Sequence, residues 1–168
     1  HLGLADQERR AGESILRILA GDAADIVRRS LATTLARSPH LPADVARKLL
    51  SDVDSIALPI IEGSPLLDDA ELVEILRSGS VLRQKAVASR DRVSPKVVRE
   101  IVMHADPDAV GIAASNDGAQ FDENAYSLAF GRFAEQPEVL ERFIDRDQLP
   151  PQITEKLIAH ISQEAVTR

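Results

Sequence analysis

The sequence predicts an all-α protein, a right-handed α-solenoid of about five stacked helix pairs. Three observations lead to this fold class: an apolar pattern that recurs at nearly constant spacing, turn residues between the apolar segments, and very few aromatic residues. Hydrophobic residues make up 44% of the chain and aromatic residues only 3%. A core of Leu, Ile, Val and Ala suits closely packed helices better than a β-sandwich rich in aromatic side chains.

The recurring pattern is a short apolar template that occurs five times. In its first copy, Leu41 to Leu50, the apolar residues recur with the period of one helix face. The first residue of each copy is followed by Pro, Asp or Ser, which are common at helix starts. Each copy is therefore predicted to be a short amphipathic helix. The copies begin at Leu41, Leu67, Val93, Phe121 and Leu149.

A second apolar segment precedes each copy, so every unit is predicted to be a helix pair, with Asp22 starting the first. Turn residues connect the helices, and we interpret Asn116-Asp117-Gly118 as a flexible polar linker. One pair cannot bury its apolar face alone, so neighbouring pairs must stack. We predict one domain, expected to be part of a longer protein, with a capping helix (1–21) and repeats 22–52, 53–80, 81–107, 108–135 and 136–168.

Two segments carry a family resemblance: SPHLPADVARKLLSD at residues 38–52 and SPKVVREIV at residues 94–102. Through them the chain resembles a bacterial helical-repeat domain family of unknown function, and more broadly the leucine-rich repeat variant and HEAT-like repeats. The resemblance extends from about Asp22 over nearly all the remaining chain. It implies a helical-repeat fold and, because its motifs are structural, it implies no catalytic residue.

The composition and motifs exclude several kinds of chemistry. The chain has no Cys, which rules out disulfides, thiolate metal sites and a Cys nucleophile. The four His residues lie far apart in sequence, and no phosphate-binding, dinucleotide-binding or nucleophile-elbow motif occurs. No apolar run approaches the ~20 residues that span a bilayer. We therefore predict a cytoplasmic protein that is not an enzyme and has no catalytic residue, metal site or cofactor.

Acidic residues near helix ends have a structural interpretation. His104, Asp106 and Asp108 resemble a metal-ligand set, but Pro107 between them indicates a capped loop. Three carboxylate pairs also lie at predicted helix ends or loops, where they cap backbone N–H groups or remain solvated. These pairs are Asp52/Asp54, Asp68/Asp69 and Asp145/Asp147.

The charge distribution singles out residues 81–99, which we call the basic island. Their net charge is +5, against −4 for residues 1–80 and −8 for residues 100–168. Arg and Lys can bind an acidic or phosphorylated protein segment. In the alternative interpretation, the island neutralises acids on adjacent repeats, including Asp68, Asp69 and Glu71. The candidate partner-binding residues are Arg83, Lys85, Arg90, Arg92, Lys96 and Arg99.

All the aromatic residues fall in the last third of the chain. Because three occupy template positions, we interpret them as core, with an apolar contact surface for a partner as the alternative. They are Phe121, Tyr126, Phe130, Phe133 and Phe143.

These patterns favour a non-catalytic protein-interaction scaffold or regulatory binding module whose partner is an acidic or phosphorylated protein. Nucleic acid is disfavoured by the isoelectric point of about 5.1 and by the absence of aromatic residues from the island. One alternative is a helical-repeat enzyme acting on nucleic acid, for which only Asp91 offers an acid among the basic residues. Another is a purely structural or dimerisation domain. The sequence leaves the oligomeric state open.

Overall fold

The computed structural model describes residues 3–146 and 149–167, and this part of the chain is all-α. A 3-10 helix at Glu141–Phe143 follows directly on α10. The α-helices are α1 (Leu4–Asp22), α2 (Asp25–Leu35), α3 (Ala43–Leu50), α4 (Asp54–Gly63), α5 (Asp69–Ser78), α6 (Val81–Ala88), α7 (Pro95–His104), α8 (Pro107–Ser115), α9 (Glu123–Arg132), α10 (Pro137–Leu140) and α11 (Pro151–Thr167). Among the described residues, no helix is long and apolar enough to cross a membrane.

The chain divides into two compact units, His1–Asp68 and Asp69–Arg168, and the division falls inside the predicted repeat 53–80. In the first unit, α1 packs against α3 and α2 packs against α4. In the second unit, α5, α7 and α9 form one layer, while α6, α8 and the 3-10 helix form the other. Within each unit the helices therefore pack as sequential neighbours, in two layers.

The helix starts follow the apolar template. Helices α3, α5, α7, α9 and α11 each begin two residues after the first residue of a template copy. Two predicted caps are confirmed: Ser94 Oγ accepts from the backbone N–H of Val97 at 3.3 Å, and Asp122 Oδ1 accepts from that of Ala125 at 2.8 Å. These bonds satisfy N–H groups that the first turn of a helix leaves without a partner.

The predicted helix start at Asp22 is wrong. Asp22 is the last residue of α1, and α2 begins at Asp25 after Ala24. The reason lies in the core, because the last turns of α1 carry Ala20, which is buried in the first unit. The helix therefore continues through this contact, and Asp25 supplies the acidic residue in the first turn of α2.

The apolar faces of successive helices form the core of each unit. In the first unit, Val45 and Leu49 of α3 are buried together with Ile56 and Ile60 of α4. In the second unit, Val97 and Ile101 of α7 and Val110 of α8 are fully buried. Burying one such side chain contributes about 1.5–3 kcal/mol. This burial is the main source of stability in the fold.

The aromatic residues form part of the core of the second unit, as predicted. Phe133 and Phe143 are fully buried and Tyr126 is nearly so. Phe121 stacks on Tyr126 with ring centroids 5.2 Å apart, and Phe143 meets Phe121 edge to face at 5.3 Å. Phe130 also lies beside Phe143. The interpretation as core is confirmed for Tyr126, Phe133 and Phe143, whereas Phe121 and Phe130 are half-buried beside them.

Polar contacts also join residues about one repeat apart. In the first unit, Arg28 donates two hydrogen bonds, of 2.7 and 3.1 Å, to the carboxylate of Asp52, which lies 24 residues later. A third hydrogen bond from Arg28 reaches the carbonyl oxygen of Ala23 at 2.7 Å. The pKa of Asp52 is lowered mainly by the hydrogen bonds from Arg28. The hydrogen bond from the backbone N–H of Val53 also lowers it.

A similar contact links α5 to α7 in the second unit. Arg77 Nε donates to Glu100 Oε1 at 2.6 Å across 23 residues. The Arg77 side chain is largely exposed, whereas Glu100 is a buried charged residue of α7. The hydrogen bond from Arg77 lowers the pKa of Glu100, and the nearby His104 and Lys96 lower it further, while burial opposes them. Glu100 is therefore held as a carboxylate.

This contact predicts acid-dependent stability. Because the pKa of Glu100 is lower in the folded chain, its stabilising contribution is complete above the unfolded pKa of about 4.3 and is lost as the pH falls below it. We expect Glu100→Gln to lower the free energy of unfolding by about 1–2 kcal/mol at neutral pH. The difference from wild type should shrink at an acid pH below the lowered folded pKa of Glu100, where the native carboxyl group is also neutral.

Urea unfolding at both pH values measures this difference. Glu135→Gln, at an exposed position, is the matched control and should change the free energy of unfolding little at either pH. An equal loss of stability by Glu100→Gln at both pH values would contradict the role assigned to the Arg77–Glu100 ion pair.

Candidate partner-binding surface

The structure distributes the basic island over three consecutive elements of the second unit. The first two residues lie on α6, the next two in the connection to α7, and the last two on α7. Because α6 packs with α8 whereas α7 packs with α5 and α9, the island is shared between the two helix layers. In chain order, its residues are Arg83, Lys85, Arg90, Arg92, Lys96 and Arg99.

Two island residues form ion pairs with acids of the following helix pair. Lys85 Nζ lies 3.7 Å from Asp108 Oδ2 in the first turn of α8. Arg99 Nη1 donates to Oδ2 of Asp122, the N-cap of α9, at 2.7 Å. Asp69 instead accepts a hydrogen bond from the Ser94 hydroxyl at 2.8 Å. Lys85 and Arg99 thus have a structural role between helices, as the neutralisation interpretation expects of island residues.

The other four island residues differ in exposure. Arg83 and Arg90 are partly buried and already take part in interactions within the chain. Arg92 and Lys96 are exposed and lie on either side of Ser94, the N-cap of α7. The first turn of α7 contains Lys96 but no acidic residue, although the helix dipole favours negative charge there by about 0.3–1 kcal/mol. These two cations are therefore at the surface, although the Asp69 carboxylate lies at the Ser94 cap and Glu100 lies near Lys96.

Arg92 belongs to a segment that we call the basic loop, residues 89–94. The backbone of this loop pairs with the loop after α8. The N–H of Val93 donates to the carbonyl oxygen of Gly118 at 3.0 Å, and the N–H of Gln120 donates to that of Val93 at 2.9 Å. These bonds form a short parallel bridge between Val93 and Ala119. These bonds therefore hold the backbone of the basic loop in place at Val93, the residue after Arg92.

Asn116 strengthens the connection between the two loops. Its side-chain amide donates to the carbonyl oxygens of Ala88 at 2.9 Å and Arg90 at 2.8 Å. Its side-chain oxygen accepts the N–H of Gly118 at 2.9 Å. Asn116-Asp117-Gly118 lies in the connection between α8 and α9, as predicted, but the prediction that it is flexible does not fit the specific hydrogen bonds through which Asn116 and Gly118 hold the basic loop.

Arg146 holds the other side of the loop after α8. Its guanidinium donates to the carbonyl oxygens of Asn116 at 2.9 Å and Ala119 at 2.6 Å, and to the Tyr126 hydroxyl at 3.2 Å. It also lies over the ring of Phe121, 4.5 Å from the centroid. Nothing in the local sequence indicates this role, since Arg146 follows its backbone partners by 27 residues or more.

Two further polar features of the second unit lie at the two ends of α8. Asp106 caps α8 by accepting the N–H of Asp108 at 2.9 Å, so the capped-loop interpretation is confirmed. An open cleft of about 370 Å³ lies beside the end of α8, which the sequence had not indicated. Asp147 lies outside the described residues. The charged residues that line the cleft are Asp117, Glu138, Glu141, Arg142, Asp145 and Arg146.

The close approach of the two loops predicts a stability effect at Gly118. A Cβ atom there would lie 1.8 Å from the carbonyl oxygen of Asp91, so the loops would have to separate. We expect Gly118→Ala to lower the free energy of unfolding by about 1–3 kcal/mol. The control is Gly131→Ala, where a Cβ meets nothing within 4 Å in α9 and should stabilise the helix by about 0.5 kcal/mol.

Chemical denaturation compares the two alanine variants. Amide hydrogen exchange at Val93 reports whether Gly118→Ala opens the bridge between the loops. If Gly118→Ala left both the stability and the Val93 exchange rate at wild-type values, the fixed arrangement of the basic loop would be contradicted.

Comparison with known proteins gives a family and no ligand. No curated protein and no solved structure matches the chain. A family model described as an uncharacterised protein conserved in bacteria matches residues 56–168, more than half of the chain. The matched segment begins in α4 and contains the basic island, the basic loop and the loop after α8. The match confirms the resemblance to a bacterial family of unknown function over residues 56–168, whereas residues 22–55, including the segment 38–52, lie outside it. The chain belongs to the uncharacterised bacterial family DUF2336.

Proposed function

We propose that this chain is a non-catalytic protein-interaction module of the bacterial cytoplasm, and that its basic island binds an acidic or phosphorylated segment of a partner protein. The observation that carries the proposal is the exposure of Arg92 and Lys96 at an end of α7 that has no acidic residue in its first turn. An anionic partner would compensate this positive charge.

The helical architecture supports a scaffold role. We propose that the helix pairs stack as a right-handed α-solenoid, similar to the leucine-rich repeat variant and HEAT-like repeats. The template-spaced helix starts and the contacts between Arg28 and Asp52 and between Arg77 and Glu100, each about one repeat apart, support this arrangement. Helical solenoids commonly bind protein segments along their surfaces. Inferring a role from a fold is an argument by analogy. The charge of the island is therefore the stronger support for the proposed function.

The aromatic residues are better suited to a structural role than to nucleic-acid binding. Single-stranded nucleic acids stack their bases on accessible aromatic rings. Here the rings of Tyr126, Phe133 and Phe143 are buried in the core of the second unit. The protein-binding proposal is therefore favoured over an enzyme that acts on nucleic acid.

Capture of proteins from bacterial lysate tests the proposal. The immobilised wild-type chain is compared with a charge-reversal variant in which residues on α6, the basic loop and α7 are changed to Glu. Arg99 is left unchanged, since a Glu there would face Asp122. We expect the variant to lose the partner, and the wild type to lose it as salt rises from about 0.05 to 0.3 M. The reversed residues are Arg83, Arg92 and Lys96.

A second charge-reversal variant of equal charge change provides the control. It replaces exposed basic residues of the first unit and should retain the partner, provided that both variants unfold at temperatures close to wild type. Retention of the same partners by the island variant would contradict the proposal and direct attention to other surfaces. The control residues are Arg9, Arg10 and Arg29, each changed to Glu.

A further inference from the structure

We propose that Asp117 and Gly118 form a site of spontaneous isoaspartate formation, and that the pairing of the basic loop with the loop after α8 suppresses this modification in the folded chain. The inference goes beyond the proposed function, because it concerns the covalent chemistry of the loop and requires no partner. Asp117-Gly118 is the one Asp-Gly dipeptide of the sequence. The Asp117 side chain is exposed to water.

The modification joins the side chain of Asp117 to the backbone of the next residue. The backbone nitrogen of Gly118 attacks Cγ of the protonated carboxyl group, the nitrogen loses its proton, and the carboxyl hydroxyl leaves as water. Water then opens the five-membered succinimide ring. Attack at the backbone carbonyl carbon of Asp117 leaves the chain connected through Cγ, which is isoaspartate, whereas attack at Cγ restores aspartate. The net change is an isomerisation with no change in mass.

The residue after the aspartate decides how readily the ring closes. Gly118 has no side chain to hinder the approach of its nitrogen, and a glycine backbone rotates more freely than any other. Asp145 is also exposed, but the next residue is Arg146, whose guanidinium is held by the carbonyl oxygen of Asn116. Ring closure is therefore favoured at Asp117 once its loop is free to move.

The folded loop keeps the attacking nitrogen in place. The N–H of Gly118 donates to Oδ1 of Asn116 at 2.9 Å, and the carbonyl oxygen of Gly118 accepts the N–H of Val93 at 3.0 Å. Gly118 also lies against Asp91, since a Cβ atom on the glycine would be 1.8 Å from the Asp91 carbonyl oxygen. The peptide group therefore has little room to rotate towards Cγ until the two loops separate.

Opening of the loops should thus control the rate of the modification. Amide hydrogen exchange at Val93 and succinimide formation at Gly118 both require the hydrogen bonds between the loops to break. Isoaspartate adds one methylene group to the main chain, so Asn116 and Gly118 can no longer both meet their partners in the basic loop. The modification therefore makes a transient opening of the loops permanent.

Prolonged incubation of the wild-type chain in mildly acidic buffer, with and without denaturing urea, tests the inference. Isoaspartate is measured by the enzymatic transfer of a labelled methyl group to its free carboxyl group, and peptide fragmentation locates the modified residue. We expect isoaspartate at residue 117 in both samples. It should form at least about tenfold more slowly in the folded chain, because only the open fraction reacts.

Two charge-conserving variants test the assignment of the site. Asp117→Glu should remove the main isoaspartate signal in urea, because a glutamate side chain would have to close a less favourable six-membered ring. Asp145→Glu is the matched control at another exposed aspartate and should leave the signal unchanged. Persistence of the main signal in Asp117→Glu would overturn the assignment.

A third variant tests the protection in the folded chain. Asn116→Ala removes the hydrogen bond to the Gly118 N–H and those to the carbonyl oxygens of Ala88 and Arg90. We expect amide exchange at Val93 and isoaspartate formation to become faster together, by roughly three- to tenfold. Faster exchange with unchanged isoaspartate formation would overturn the proposed protection. Equal rates in the folded and urea-unfolded wild type would also overturn it, and that comparison does not depend on whether the variant folds.

Discussion

The structure depends on the burial of an apolar helix face between successive helices. Val45, Leu49, Ile101 and Val110 are buried only because helices adjacent in their layer or pair cover them. A single amphipathic pair would leave much of this surface in water, and each exposed side chain would cost about 1.5–3 kcal/mol. This constraint explains why the template recurs and why the described helices pack as sequential neighbours within each unit.

Hydrogen bonds add a second level of organisation to this packing. Dispersion and hydrophobic contacts alone tolerate small shifts between helices, whereas a charged hydrogen bond needs both groups at a defined distance. Arg28 with Asp52 and Arg77 with Glu100 link residues about one repeat apart. Their spacing follows the repeat because each side chain reaches into the neighbouring pair. These contacts therefore help to set the register of helices whose apolar faces are similar to one another.

The candidate site uses the same kinds of contact as the fold. Lys85 and Arg99 of the island stabilise neighbouring helices, while Arg92 and Lys96 remain at the surface. The basic loop is ordered by backbone pairing and by Asn116, and the loop that holds it is ordered by Arg146. A chain of contacts thus runs from the aromatic core to the exposed charges. The aromatic core and the proposed site are physically connected within one unit.

The sequence by itself determined the all-α class, the positions of the helices and most of the core, because apolar periodicity and capping residues act over a few neighbouring positions. It also located the basic island, since charge can be counted along a chain. Only the tertiary structure decided which basic residues are engaged, because their partners Asp108 and Asp122 belong to the following helix pair. It also showed the Asn116 loop to be a fixed support, through hydrogen bonds spanning 26 and 28 residues. Such pairings depend on how the helices stack, so they cannot be predicted from the order of neighbouring residues in the sequence.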